Sequence, residues 1–173
     1  RLSVTVEAGE VLSYTLSHDG DLLLDKSPLE MRLEDGTVFG GMQSVRKVAR
    51  RSVDETLKTV IYKKDLVKDV FNEMTLKFKK FSLIFRAYDD GMAYRFVSHV
   101  SNPYNVESEV VKFNFAQDWN MWAAYVTHNT HSLEGQYFTS NEAQYTYSPL
   151  SQWNKDRIAM LPLMVDGPSG KKI

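Results

Sequence analysis

Apolar side chains recur at every second position over most of the first hundred residues, and that period fixes the fold class first. Leu2, Val4 and Val6 alternate with Ser3, Thr5 and Glu7; Leu12, Tyr14 and Leu16 with Ser13, Thr15 and Ser17; Met74, Leu76 and Phe78 with Thr75, Lys77 and Lys79. Turn signals at Ala8-Gly9-Glu10 and His18-Asp19-Gly20-Asp21 separate the first of these runs. The clearest hairpin runs from Phe81 to Tyr88, turns at Asp89-Asp90-Gly91 and returns from Met92 to Val97. Gly91 is expected to supply the positive φ of that reversal. Phe81, Leu83 and Phe85 fall on one face of the hairpin and Ile84 and Tyr88 on the other, which predicts strands lying centrally between two layers.

Another alternating run spans residues 110–115, and a last one spans residues 158–165 before a turn at Asp166-Gly167-Pro168-Ser169-Gly170. Lys171-Lys172-Ile173 then begins its hairpin partner. Helical spacing is confined to two short stretches, residues 28–33 after Ser27 and residues 63–71, where Leu66, Val67 and Val70 share a face. From Asp118 to Trp153 aromatics and amides crowd together without period, a texture that predicts long ordered loops. Many short strands with regular turns predict an all-β fold, an antiparallel β-sandwich of one domain over residues 1–173. A partner strand barely begun at the end predicts a domain incomplete at its C-terminal side, cut from something longer.

Composition narrows the function classes. The 173 residues carry 21 Lys and Arg against 22 Asp and Glu, with no long block of either sign, so neither nucleic acid nor a membrane is an expected partner. The apolar stretches are far shorter than the roughly 20 residues a spanning helix needs. No cysteine is present, which removes thiolate nucleophiles, disulfides and sulfur-ligated metals.

Few residues form a chemical constellation. His128, His131 and Glu134 could meet one metal ion if their segment were helical, but its Asn, Thr and Ser content reads as a loop with both histidines facing water. Asp89 and Asp90 are adjacent carboxylates, and neighbours in a turn splay apart to bond their own backbone. Arg86 and Arg95 stand on facing strands among apolar residues, where a guanidinium demands a carboxylate or carbonyl partner. The aromatic stretch could present ring faces and amides to a sugar, or could simply pack a core.

Phe85-Arg86-Ala87-Tyr88-Asp89-Asp90-Gly91-Met92-Ala93-Tyr94-Arg95-Phe96 resembles the hairpin signature of the N-terminal domain of glycoside hydrolase family 97. Arg86, Asp90, Gly91 and Arg95 are its structural motif. Ser27-Pro28-Leu29, Trp122 and Tyr125 followed by Glu134 and Tyr137, and Leu161-Pro162-Leu163-Met164-Val165 before Gly170-Lys171-Lys172-Ile173 flank it in the family's order, with His128 to His131 as an insertion-like departure. The resemblance implies a supersandwich of galactose-mutarotase type preceding a (β/α)8 barrel, in calcium-dependent α-glucosidases and α-galactosidases of the bacterial periplasm or exterior. It places the catalytic carboxylates in the barrel downstream, and a calcium-binding Glu of the sandwich shortly after the stretch matching Gly170 to Ile173, so that the calcium ligands lie mostly outside these residues. It makes Trp122, Tyr125, Glu134 and Tyr137 candidates for lining the substrate pocket or the domain interface. The expected partners are that barrel and the parent's oligosaccharide substrate. An autonomous carbohydrate-binding module and a structural interaction domain are the competing readings.

Overall fold

The computed structural model describes residues 1–126, 132–138 and 142–173. The chain forms two compact units, Arg1–Asn114 and Phe115–Ile173, and both are antiparallel β as expected. No described helix is long and apolar enough to cross a membrane.

The first unit is built from two sheets. One holds β1 (Leu2–Ala8), β2 (Leu12–His18) and β3 (Asp21–Leu33), with β4 (Val38–Phe39) and β9 (Val106–Val111) on the far half of β3, and β10 (Asn114–Phe115) at its margin. The other is a meander of β5 (Lys47–Lys58), β6 (Leu66–Lys77), β7 (Phe81–Ala87) and β8 (Met92–Ser98). Asp19 and Gly20, at φ 52° and 89°, make the two-residue reversal between β2 and β3 that an Asp-Gly pair favours. The buried faces of both sheets meet in an aromatic core: Tyr14 lies 5.8 Å from Phe85, and Phe39 stacks on Phe81 at 4.9 Å.

Three local expectations are overturned. Residues 28–33 are not helical but continue β3, paired with β9 from Leu29 to Leu33. Leu29 and Leu33 are buried; apolar residues at i and i+4 satisfy a strand's period as well as a helix's, and the ladder decides. Residues 63–71 likewise enter β6 at Leu66, where burial of Phe71 and Glu73 follows period two. Gly91 has no positive φ: the turn closes through Tyr88 N–H donating to Gly91 O at 2.8 Å, and the left-handed residues lie elsewhere.

The Tyr14 hydroxyl is sealed inside this core and has no hydrogen-bond partner among the described residues. Burial, then neighbouring Tyr94, pushes its pKa up to about 12. Ser27 opposes that rise, but its hydroxyl already donates to Asp25 O at 2.7 Å and accepts from Asn114 N–H at 3.0 Å. An orphaned buried hydroxyl costs more than the group returns, so Tyr14→Phe is expected to raise unfolding free energy by about 1 kcal/mol in urea titration. A loss of that size would show that the phenol is bonded.

The second unit replaces the expected loops with a three-stranded sheet, ordered β12 (Tyr145–Pro149), β11 (Asn120–Tyr125), β13 (Ala159–Val165). Its core cluster is Met121, Ala123, Tyr125 and Val165, with Phe115, Trp119, Leu163 and Ile173 packed against it. The period of these strands is faint in the sequence because β11 carries two alanines and β12 is exposed from Tyr145 to Tyr147, leaving little apolar contrast. Pro162, with no N–H to donate, sits where the β11–β13 register slips between Trp122 and Ala124. Ile173 exchanges both backbone hydrogen bonds with Val165, so Lys171 to Ile173 is the hairpin partner expected.

Candidate functional site

Along β11 Met121, Ala123 and Tyr125 are buried and Trp122 is exposed, while Ala124, two residues on, is buried as well. Tyr147 lies directly opposite Trp122 in the ladder, and the two rings sit 4.5 Å apart on the outer face. Tyr145 and Met164, paired with Ala124 and Trp122, extend this face and are also exposed. Its edge is polar. Tyr147 OH donates to Asp166 Oδ2 at 3.0 Å, and Lys172 Nζ donates to Asp166 Oδ1 at 2.5 Å. The Lys172 ammonium first, then the Tyr147 hydroxyl, holds the Asp166 carboxyl below the usual carboxylate range. This exposed aromatic pair, its rings tilted by 38° and bordered by a paired carboxylate and ammonium, offers ring faces that can stack against a sugar's C–H face or a partner's apolar surface.

The other sequence candidates are not gathered here. Tyr125 points into the core at 7% exposure, its ring 5.3 Å from Trp153 and its hydroxyl accepting from Asn154 N–H at 3.1 Å. Glu134 and Tyr137 lie exposed on a 3-10 turn, Glu134–Tyr137, anchored by buried Gln136, which donates to Asp156 O and accepts from Ile158 N–H, both at 2.8 Å. Among the described residues neither shares a hydrogen bond or ring contact with Trp122. His128 and His131 lie outside the described residues. No group of three or more His, Cys, Asp or Glu that could hold a metal ion occurs among the described residues.

The motif arginines divide. Arg95, opposite Ile84, is exposed and has no ion pair among the described residues, which corrects the expectation of a buried guanidinium there. Arg86 does take a carboxylate. Its Nε donates to Glu73 Oε2 at 2.8 Å, while Arg51 donates to Oε1 from Nε at 2.7 Å and to Oε2 from a terminal nitrogen at 3.0 Å. The pairing of Glu73 with Arg86 across β6 and β7, and with Arg51 across β5 and β6, fixes this geometry. The Arg86 guanidinium also lies 4.1 Å from the Phe71 ring centroid. Asp90 and Gly91 form the adjacent turn, with Asp90 exposed. Glu73 was not singled out from sequence; the strand register that puts it beside Arg86 was the missing signal.

The Arg51 hydrogen bonds first, and those of Arg86 after them, bring the Glu73 pKa down to about 2 against the desolvation that opposes them. A depressed folded-state pKa contributes stability that is present above the unfolded value of 4.5 and is lost as pH falls toward 2. Glu73→Gln is therefore expected to flatten the fall of stability across that window, read by urea unfolding at successive pH values. An unchanged acid limb would show that other carboxylates govern it. Neither Glu73 nor Asp166 has the raised pKa of a glycosidase's general acid.

The model of the glycosyl-hydrolase 97 N-terminal family matches residues 1–173. A retaining alpha-galactosidase of Bacteroides thetaiotaomicron is 37% identical over 174 residues, covering 99% of this chain and 26% of that protein. A probable retaining alpha-galactosidase of Streptomyces bingchenggensis is 28% identical over 142 residues, 79% of this chain and 22% of its own. Among solved structures, a beta-arabinopyranosidase superposes with a TM-score of 0.74 at 22% identity, over 95% of this chain and 27% of that one. A family 97 enzyme from Pseudoalteromonas sp. strain K8 in complex with acarbose gives 0.75 at 18% identity, over 96% and 25%. The chain thus spans about a quarter of the length of these proteins.

Proposed function

Since the chain belongs to the N-terminal domain family of the glycosyl hydrolase 97 enzymes, we propose that it is the non-catalytic β-sandwich portion of a larger, exo-acting α-glycosidase that hydrolyses α-galactosides or α-glucosides. The observation that carries this reading is the end-to-end match to a retaining alpha-galactosidase in which the matched part is only 26% of the protein. Retaining hydrolysis needs two carboxyl groups about 5 Å apart, one of them able to donate a proton. The reading assigns that pair to the part of the parent downstream of Ile173.

Calcium dependence and a periplasmic or secreted location belong to the same proposal. Calcium takes six to eight oxygen ligands, several of them carboxylates. The described residues offer no cluster of three acidic side chains and do not fit such a cage by themselves, so the proposal leaves the ion to the parent.

Full-length protein is expected to release galactose or glucose from the p-nitrophenyl α-glycosides with retention, and to lose that activity in chelator until calcium is restored. Turnover by residues 1–173 alone, abolished by one carboxylate substitution within them, would overturn the non-catalytic assignment. The outward Trp122–Tyr147 pair favours a second reading, direct sugar binding by this domain. Saturable quenching of Trp fluorescence by melibiose, lost in Trp122→Ala, would support it.

A further inference from the structure

β5 and β6 pair along their full twelve residues, from Lys47 with Lys77 to Lys58 with Leu66. β7 supports β6 only from Asn72 to Lys77. The distal half, Val53 to Lys58 against Leu66 to Phe71, is therefore a two-stranded ribbon running beyond the rest of its sheet. Its base is braced by Tyr88, which donates to Asp69 at 3.1 Å and lies 5.3 Å from the Phe71 ring.

The tip is ordered. Thr59 N–H donates to Asp65 O at 2.9 Å and the Thr59 hydroxyl to Lys64 O at 2.5 Å. This closed turn displays three consecutive apolar side chains, Val60, Ile61 and Tyr62, at 97%, 94% and 68% exposure. Lys58, Lys63 and Lys64 flank them in sequence, with Asp65 following. A two-stranded ribbon is marginal in water without a packed face, and three adjacent apolar residues held out by a fixed turn mark a docking element.

The geometry points to this ribbon as an arm whose Val60-Ile61-Tyr62 tip inserts into an apolar, acid-rimmed socket on the part of the same polypeptide that follows Ile173. This inference rests on the parent reading above. Two observations favour that occupant. Proteins matched by this chain end to end are about four times its length, so the same polypeptide supplies ample surface at high effective concentration. With Lys58, Lys63 and Lys64 against Asp65 the tip is net positive, which would complement a carboxylate rim and keep the arm soluble until it docks.

The test uses the full-length parent with p-benzoylphenylalanine at position 61. Irradiation is expected to join residue 61 to a peptide downstream of Ile173 within one chain. Trypsin, which cuts after Lys63 and Lys64, should attack the native parent at least about tenfold more slowly than the Ile61→Asp variant, because docking withholds the tip from local opening. Ile61 is so exposed that the aspartate costs this domain no packing of its own, and Tyr62→Ser provides a milder second variant expected to be cut at an intermediate rate. A crosslink to a second copy, to added phosphatidylglycerol vesicles or within residues 1–173, no crosslink, or equal cleavage of parent and variants overturns the arm. A full-length product whose mass ends at residue 173 instead overturns the parent reading, and is seen before any irradiation.

Discussion

Alanine at position 81 is expected to lower the unfolding free energy by about 4 kcal/mol, a large share of a domain's usual stability. Phe81 is fully buried, at 0% exposure. Its ring stacks on Phe78 at 4.4 Å and on Phe39 at 4.9 Å, with Phe96 5.8 Å away. Phe39 comes from the opposite sheet and Phe96 from the neighbouring strand, so one ring joins both layers. Truncation leaves a cavity whose walls are strands tied by their ladders, and such walls relax little. Urea unfolding of the variant measures the cost, and Phe81→Leu keeps the measurement possible if alanine prevents folding. Phe138→Ala is the comparison, since that ring is 84% exposed and its loss should change stability by less than about 0.5 kcal/mol. Equal effects at the two positions would mean that the stacked rings do not hold the sheets together.

The sequence disclosed this core because its strands have strong contrast between faces. Phe81, Leu83 and Phe85 alternate with less buried neighbours, and the structure sets them against Tyr14 and Phe39 of the facing sheet. Where contrast is weak the reading failed. In β11 two alanines stand between Trp122 and Tyr125, and in β12 both tyrosines face outward, so neither strand advertised its period. The same limit applies to the surface sites. Arg86 announced that it needed a carboxylate, but naming Glu73 required the register of β6 against β7. Likewise, Trp122 and Tyr147 become one feature only when β11 pairs with β12 across twenty-five positions of sequence. Val60, Ile61 and Tyr62 carry no message as a three-residue run; the message lies in the ribbon that holds them out.

Gly40→Ala is expected to cost about 3 kcal/mol. Gly40 adopts φ +131°, and a Cβ there would lie 2.8 Å from Leu29 O and 3.2 Å from Glu30 Cα. Both obstacles are backbone of β3, held in its ladder with β9, so neither can yield as the end of a side chain would. The relief available is to move β4 off β3. Gln43 donates from Nε2 back to Val38 O at 2.6 Å and to Gly40 O at 3.1 Å, so β4 and the turn after it would move as one piece. Displacing β4 would lift Phe39 from Phe81, which means the Gly40 and Phe81 substitutions act partly on one contact. Their double variant should therefore lose about 1 kcal/mol less than the sum of the singles. Gly91→Ala supplies the control, because Gly91 has no positive φ and an added Cβ meets nothing within 4 Å; its effect should stay below about 0.5 kcal/mol. A Gly40 variant as stable as the Gly91 variant would show that β4 is free to move, and that the stacking of Phe39 on Phe81 is not fixed by the backbone approach at Gly40.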